Sequence, residues 1–174
     1  TDIITVDNET PHEIDGSHIA LEAGEILTLK DLLYALMLPS ANDAASVIAK
    51  HYGKSLDGFV KIMNEKAKEL GAYNTNFENP HGLHNENHYT TAADLALITK
   101  YAMENETFRK IVATTRYEIQ TTNKKHEPRP FTTLNKLLYN NNNNQILVNG
   151  AYISPYYEYA TGAKTGYTPE AGNC

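Results

Sequence analysis

Two stretches more than a hundred residues apart hold side chains of the kinds that bind or transform a peptide. The first is Leu36-Met37-Leu38-Pro39-Ser40-Ala41-Asn42-Asp43-Ala44-Ala45. An apolar segment runs into a proline, a Ser-Ala-Asn turn follows, and a second apolar segment leaves it. Ser40 and Asn42 are thereby presented from a corner between two buried elements, as a binding or catalytic site requires. Ser and Asn are also favoured helix N-caps, and taken alone capping accounts for most such residues. The second stretch is Lys164-Thr165-Gly166. On an edge strand, the ammonium supplies fixed positive charge for a carboxylate, and the glycine leaves room for a peptide to pair with the strand. Ordinary surface residues at a strand end have the same composition. A third group, His81, His84 and His88 with Glu86 nearby, has metal-ligand chemistry. Pro80 and Gly82 place it in a loop, and no His-Glu-x-x-His spacing is present, so a packed or solvated loop accounts for it better.

Composition narrows the function classes. The 174 residues are 41% hydrophobic and 21% charged, as for one globular domain. A net charge of −6 argues against a nucleic-acid partner, which calls for a basic stripe. The single cysteine, Cys174, rules out a disulfide framework or a cysteine zinc site within the chain. No apolar run approaches the ~18 residues of a membrane span.

The elements that must position these groups read as an α+β order. Residues 1–27 are short strands and turns. Thr28 caps a helix through Asp31, and Leu29, Leu32, Leu33, Leu36 and Met37 form its apolar face. Pro39 ends it. An alanine-rich helix, roughly 43–52, is expected to stop at Gly53 and a third, roughly 56–70, at Gly71. A long loop over 72–89 is expected to be functional or packed by its own side chains. Thr90 or Thr91 opens a fourth helix to Met103, and Asn105 caps a short fifth over 106–112. From Thr114 the pattern turns to strands and loops: Tyr117–Thr121 alternates, 124–130 is a polar connection, Asn140–Asn144 reads as a surface loop, and Ile146-Leu147-Val148 as a short strand. The segment 159–168, small-residue-rich, is expected to be a strand that something approaches closely.

Pro39-Ser40-Ala41-Asn42-Asp43-Ala44-Ala45, then Asn79-Pro80-His81-Gly82-Leu83, then Lys164-Thr165-Gly166-Tyr167-Thr168-Pro169 resemble, in order and spacing, the D-alanyl-D-alanine carboxypeptidases, the low-molecular-mass penicillin-binding proteins. The resemblance covers nearly the whole chain, including Met63-Asn64-Glu65-Lys66-Ala67. It implies a β-lactamase/D,D-peptidase-like transpeptidase fold, with the helical lobe and part of the antiparallel sheet. It also implies a serine peptidase that trims peptidoglycan stem peptides ending in D-Ala-D-Ala, is inhibited by β-lactams, needs no cofactor and works outside the cytoplasmic membrane. By this resemblance Ser40 shuttles protons, Asn42 binds the substrate backbone, Lys164 adds positive charge, Thr165 contacts the substrate's terminal carboxylate, and Gly166 completes the substrate-binding triplet.

The family's first motif, Ser-x-x-Lys, is missing. Ser17, Ser40, Ser46, Ser55 and Ser154 are followed three residues later by Ala20, Asp43, Ala49, Gly58 and Tyr157. In the family this motif lies upstream of the segment where the chain begins. Residues 1–174 are therefore expected to be part of a catalytic domain: strands and turns over 1–27, a helical cluster over 28–113, and strands and loops over 114–174. Alone they are expected to lack hydrolase activity. Ser40 as a substitute nucleophile has no lysine or histidine in local register. The alternatives are a non-catalytic cell-wall peptide-binding protein of the same fold and a metal-binding module using His81, His84 and His88.

Overall fold

The computed structural model of the protein describes residues 2–13, 15–140 and 145–173. The surface loop expected over the asparagine run lies largely outside them, as does Cys174. Strand β1 (Ile3–Thr5) pairs antiparallel with β2 (Ile26–Thr28), Ile4 opposite Leu27. Alternation sends Ile4 and Leu27 into the core and leaves Ile3 and Ile26 exposed. Helix α1 (Leu29–Met37) begins directly from β2, and Thr28 Oγ1 accepts the Asp31 amide at 3.1 Å, as the capping pattern predicts.

Helix α2 (Asn42–Gly53) is buried from Asn42 through Ala49, and its alanines let α1 and α3 (Leu56–Glu69) pack closely on it. Gly53 is not the stop that its type suggests. It is the last helical residue, and the left-handed cap is Lys54, φ 62°. A Cβ on Gly53 would lie 2.4 Å from the Phe59 amide nitrogen, and one on Gly58 2.2 Å from the Gly53 carbonyl oxygen. The two glycines serve close approach, letting α3 fold straight back onto α2. Helices α4 (Ala92–Glu104) and α5 (Glu106–Val112) follow, capped by Thr91 on the Asp94 amide and by Asn105 on the Phe108 amide, both at 3.1 Å.

Strands β3 (Arg116–Ile119) and β4 (Arg129–Thr132) form a second antiparallel pair. The polar connection is shorter than expected, since Arg129 and Pro130 belong to β4; a proline is tolerated because each pair has only edge strands. Tyr117 stacks on Tyr34 with ring centroids 3.8 Å apart and donates its hydroxyl to Asp31 Oδ1 at 2.7 Å, fastening β3 to α1. Burial, then the Asp31 carboxylate, push that hydroxyl's pKa up. Strands β5 (Ile146–Val148) and β6 (Ala151–Ile153) make a hairpin, and β7 (Tyr167–Thr168) pairs with β8 (Gly172–Asn173). The fold is α+β, and among the described residues its strands form four two-stranded ladders. The core lies where α1 and α2 meet β1, β2 and Ile119 of β3. No helix among the described residues is long and apolar enough to cross a membrane.

Candidate active site

Past Pro39 the chain turns sharply: the Ala41 amide reaches back to the Ala35 carbonyl at 3.0 Å, and Ser40 adopts φ 64°. Left-handed backbone is uncommon for serine and gathers at functional corners. Neither Ser40 nor Asn42 is a cap. The N-cap position of α2 belongs to Ala41, and no side chain caps the helix. Asn42 is its first residue; its backbone amide donates to the Ser17 carbonyl at 2.7 Å and its Nδ2 to the Asp15 carbonyl at 2.7 Å. With the amide nitrogen held, Oδ1 is turned the other way, where it accepts nothing among the described residues.

Gly16 makes that orientation possible. It has φ 75°, and a Cβ there would stand 2.8 Å from Asn42 Nδ2. Gly16→Ala is expected to cost about 1–2 kcal/mol through the left-handed backbone alone. It should also shift the Asn42 side-chain amide resonances, with urea denaturation giving the first quantity and NMR the second.

Lys164 reaches the same corner. Its Nζ donates to Ser40 Oγ at 2.9 Å and to the Thr165 carbonyl at 2.6 Å. The fold thus brings Ser40 the amine that its local sequence lacks. Because Nζ donates, the serine hydroxyl's own proton stays available for transfer. Thr165 is half-buried beside Lys164, and Gly166 is exposed. The expected strand over 159–168 is corrected: the ladder starts only at Tyr167. Gly162 at φ 128° and Ala163 at φ 72° lie outside the β region, so the chain cannot run as a regular strand before Lys164. A Cβ on Gly162 would lie 2.6 Å from Val112 Cγ2, so the glycine lets this segment press onto the end of α5.

His81, His84 and His88 do not gather: among the described residues no three His, Cys, Asp or Glu side chains could hold a metal ion. His81 and His88 are loop fasteners. Each accepts a backbone amide through Nδ1, from Leu83 at 3.3 Å and from Glu78 at 3.4 Å. The loop around them is fastened to the helices on either side of it. Asn64 bonds Phe77 through both amide atoms at 2.8 Å, and buried Asp94 accepts the Asn74 amide and the Thr75 hydroxyl. Burial, chiefly, holds both imidazoles below the usual value; the His88 charge adds to this at His81, and at His88 the His84 charge adds while Glu78 opposes. Neutral imidazole is the form that accepts. The unfolded chain takes up these protons near pH ~6.5, before the folded one does. The stabilisation is therefore complete above about pH 6.5 and lost as pH falls through the lower folded values. Urea midpoints should drop over that window, and the double change His81→Gln, His88→Gln should flatten the drop.

Sequence reasoning did not pick out Gly16 or Asn135. Leu134 and Asn135 together tie Leu38, beside Ser40, to Gly162, beside Lys164, a link that nothing local signals.

The helical lobe packed on short antiparallel strands is the fold of the penicillin-binding proteins and DD-transpeptidases. The crystal structure of a Streptomyces DD-transpeptidase superposes with a TM-score of 0.82 and 32% identity, covering 98% of this chain and 64% of that one. The sequence profile of the D-alanyl-D-alanine carboxypeptidase family matches residues 1–174, and the chain belongs to that family. It is 37% identical over 167 residues to D-alanyl-D-alanine carboxypeptidase DacF of Bacillus subtilis, covering 96% of this chain and 38% of that protein. It is 36% identical over 164 residues to a D-alanyl-D-alanine carboxypeptidase of Streptomyces, covering 91% of this chain and 52% of that one. The chain thus spans about half the length of these relatives or less.

Proposed function

We propose that residues 1–174 form the substrate-recognising wall of a serine D-alanyl-D-alanine carboxypeptidase that trims peptidoglycan stem peptides outside the cytoplasmic membrane. The observation that carries this reading is the 2.9 Å contact between Lys164 Nζ and Ser40 Oγ, made across 124 residues of chain. In the reaction a serine attacks the carbonyl between two D-alanines, the terminal D-alanine leaves with a proton on its nitrogen, and water hydrolyses the acyl-enzyme. Ser40 relays the protons, with Lys164 holding its oxygen. Asn42 Oδ1 accepts a backbone N–H of the stem peptide. Lys164 and Thr165 attract the terminal carboxylate, and exposed Gly166 lets the peptide lie close. β-Lactams enter the same wall. The attacking serine and its lysine are not among these residues, which contain no Ser-x-x-Lys.

The test is binding and intact mass together. A peptide ending in D-Ala-D-Ala should bind the 174-residue protein, and Lys164→Ala should weaken binding about tenfold or more, the usual effect of losing a charged hydrogen bond. Benzylpenicillin should leave the mass of this chain unchanged. Unaltered affinity in Lys164→Ala would sink the reading, and a covalent penicillin adduct on Ser40 would replace the relay role with a nucleophilic one.

A further inference from the structure

The two halves of the site are tied by two consecutive residues that belong to neither. After β4 the chain passes through Thr133, whose amide donates to the Thr115 carbonyl at 2.9 Å. The next amide, of Leu134, donates to the Leu38 carbonyl at 3.3 Å, two residues before Ser40. The residue after that, Asn135, sends Nδ2 to the Gly162 carbonyl at 3.2 Å, two residues before Lys164. Its other amide atom is engaged as well: Oδ1 accepts the Leu137 amide at 3.0 Å, capping the short 3-10 turn Lys136–Leu138. Asn135 is 7% exposed, so both bonds are sheltered from water. Gly162 is gripped from two sides, by Asn135 on its oxygen and by Val112 where a side chain would stand.

We propose that Asn135 is a positioning residue that sets the Lys164–Ser40 contact, with Leu134 anchoring the serine side and the Asn135 carboxamide anchoring the lysine side. The physical requirement is a side chain with an acceptor and a donor at one end, since one must cap the turn while the other holds a carbonyl. Asparagine meets both demands. Aspartate keeps the cap, being as good an N-cap, and cannot donate to Gly162 when ionised. Without that hold, the Tyr157 amide on the Leu137 carbonyl still ties the incoming chain to the turn, but Gly162 is released and the lysine no longer answers to Ser40. The inference rests on the proposed role of Lys164 in the site, and deepens it.

The experiment reads Lys164 directly, without substrate. In the full 174-residue protein, the Lys164 side chain is followed by NMR at Cε and Nζ with and without Ser40→Ala. The serine substitution should shift the Lys164 resonances in the parent and lose that effect in Asn135→Asp. Lys50, bonded to Asp7, Glu9 and Glu13, serves as the internal control. Its resonances should not move, whereas general loosening would move both lysines. If Asn135→Asp does not fold, Asn135→Ser is read in the same way, since its hydroxyl can cap the turn and is too short to hold Gly162. Persistence of the Ser40-dependent shift at its parental size in the folded variant overturns the proposal, as does equal movement of Lys50. Failure to bind D-Ala-D-Ala peptides would sink the carboxypeptidase reading and leave this measurement standing.

Discussion

Asp43→Ala should destabilise the protein by about 3–4 kcal/mol, because it strips a buried carboxylate from several backbone donors at once. Asp43 is 2% exposed and accepts the amides of Ile19, Leu21 and Ala44 at 2.9–3.2 Å. The Ala44 bond is local to the first turn of α2, where a negative charge also meets the positive end of the helix. The Ile19 and Leu21 bonds reach back more than twenty residues and hold a segment in which Ala20 is bent to φ 53°. Alanine leaves those two amides without partners inside the protein and a strained backbone without its clamp. The site should feel the loss, because this segment continues from Asp15 and Ser17, whose carbonyls orient Asn42. Urea denaturation measures the first effect. Weakened D-Ala-D-Ala peptide binding, measured where the variant is still folded, checks the second.

The other large effect is expected at Glu25 and Arg129. Glu25 is fully buried and bonds Arg129 Nη2, the Thr122 hydroxyl and the Glu22 amide. Arg129 also points Nη1 at the Ile19 carbonyl, while its Nε is buried with no partner among the described residues. Removing one member of a buried ion pair typically costs about 3–5 kcal/mol, since the remaining charge keeps its desolvation and loses its partner. Arg129→Met should fall at the lower end, because two other donors still serve Glu25. The double variant Glu25→Gln, Arg129→Met should recover most of the loss, and a thermodynamic cycle over the four proteins measures the coupling.

These two residues also mark what a linear reading reaches. The five helices and the capping roles of Thr28 and Asn105 are local features, set by spacing within one or two turns of chain, and the structure places each of them where spacing predicts, whereas the corner at Ser40 is half-buried with Asn42 buried behind it. Asn149-Gly150, at φ 50° and 82°, is the usual turn of a two-residue hairpin and was a legible signal that sequence reasoning passed over. Gly53 was legible as a glycine and not in its purpose, since Phe59 approaches it only once α3 folds back. The irregular course before Lys164 was hidden because it depends on Val112 and Asn135, both distant in sequence. The Arg129–Glu25 pair was hidden for the same reason, its partners standing 104 residues apart.

The bridge from Lys164 to Ser40 also bears on the order in which the molecule assembles. Closing a loop of 124 residues carries an entropic cost that must be met before the contact returns anything, whereas α1, α2 and α3 meet neighbours close in the chain. A chain emerging N-terminus first from the ribosome can build the helical half while residues beyond β4 are still being made. Ser40 and Asn42 are then in place early, and the lysine that completes them arrives last.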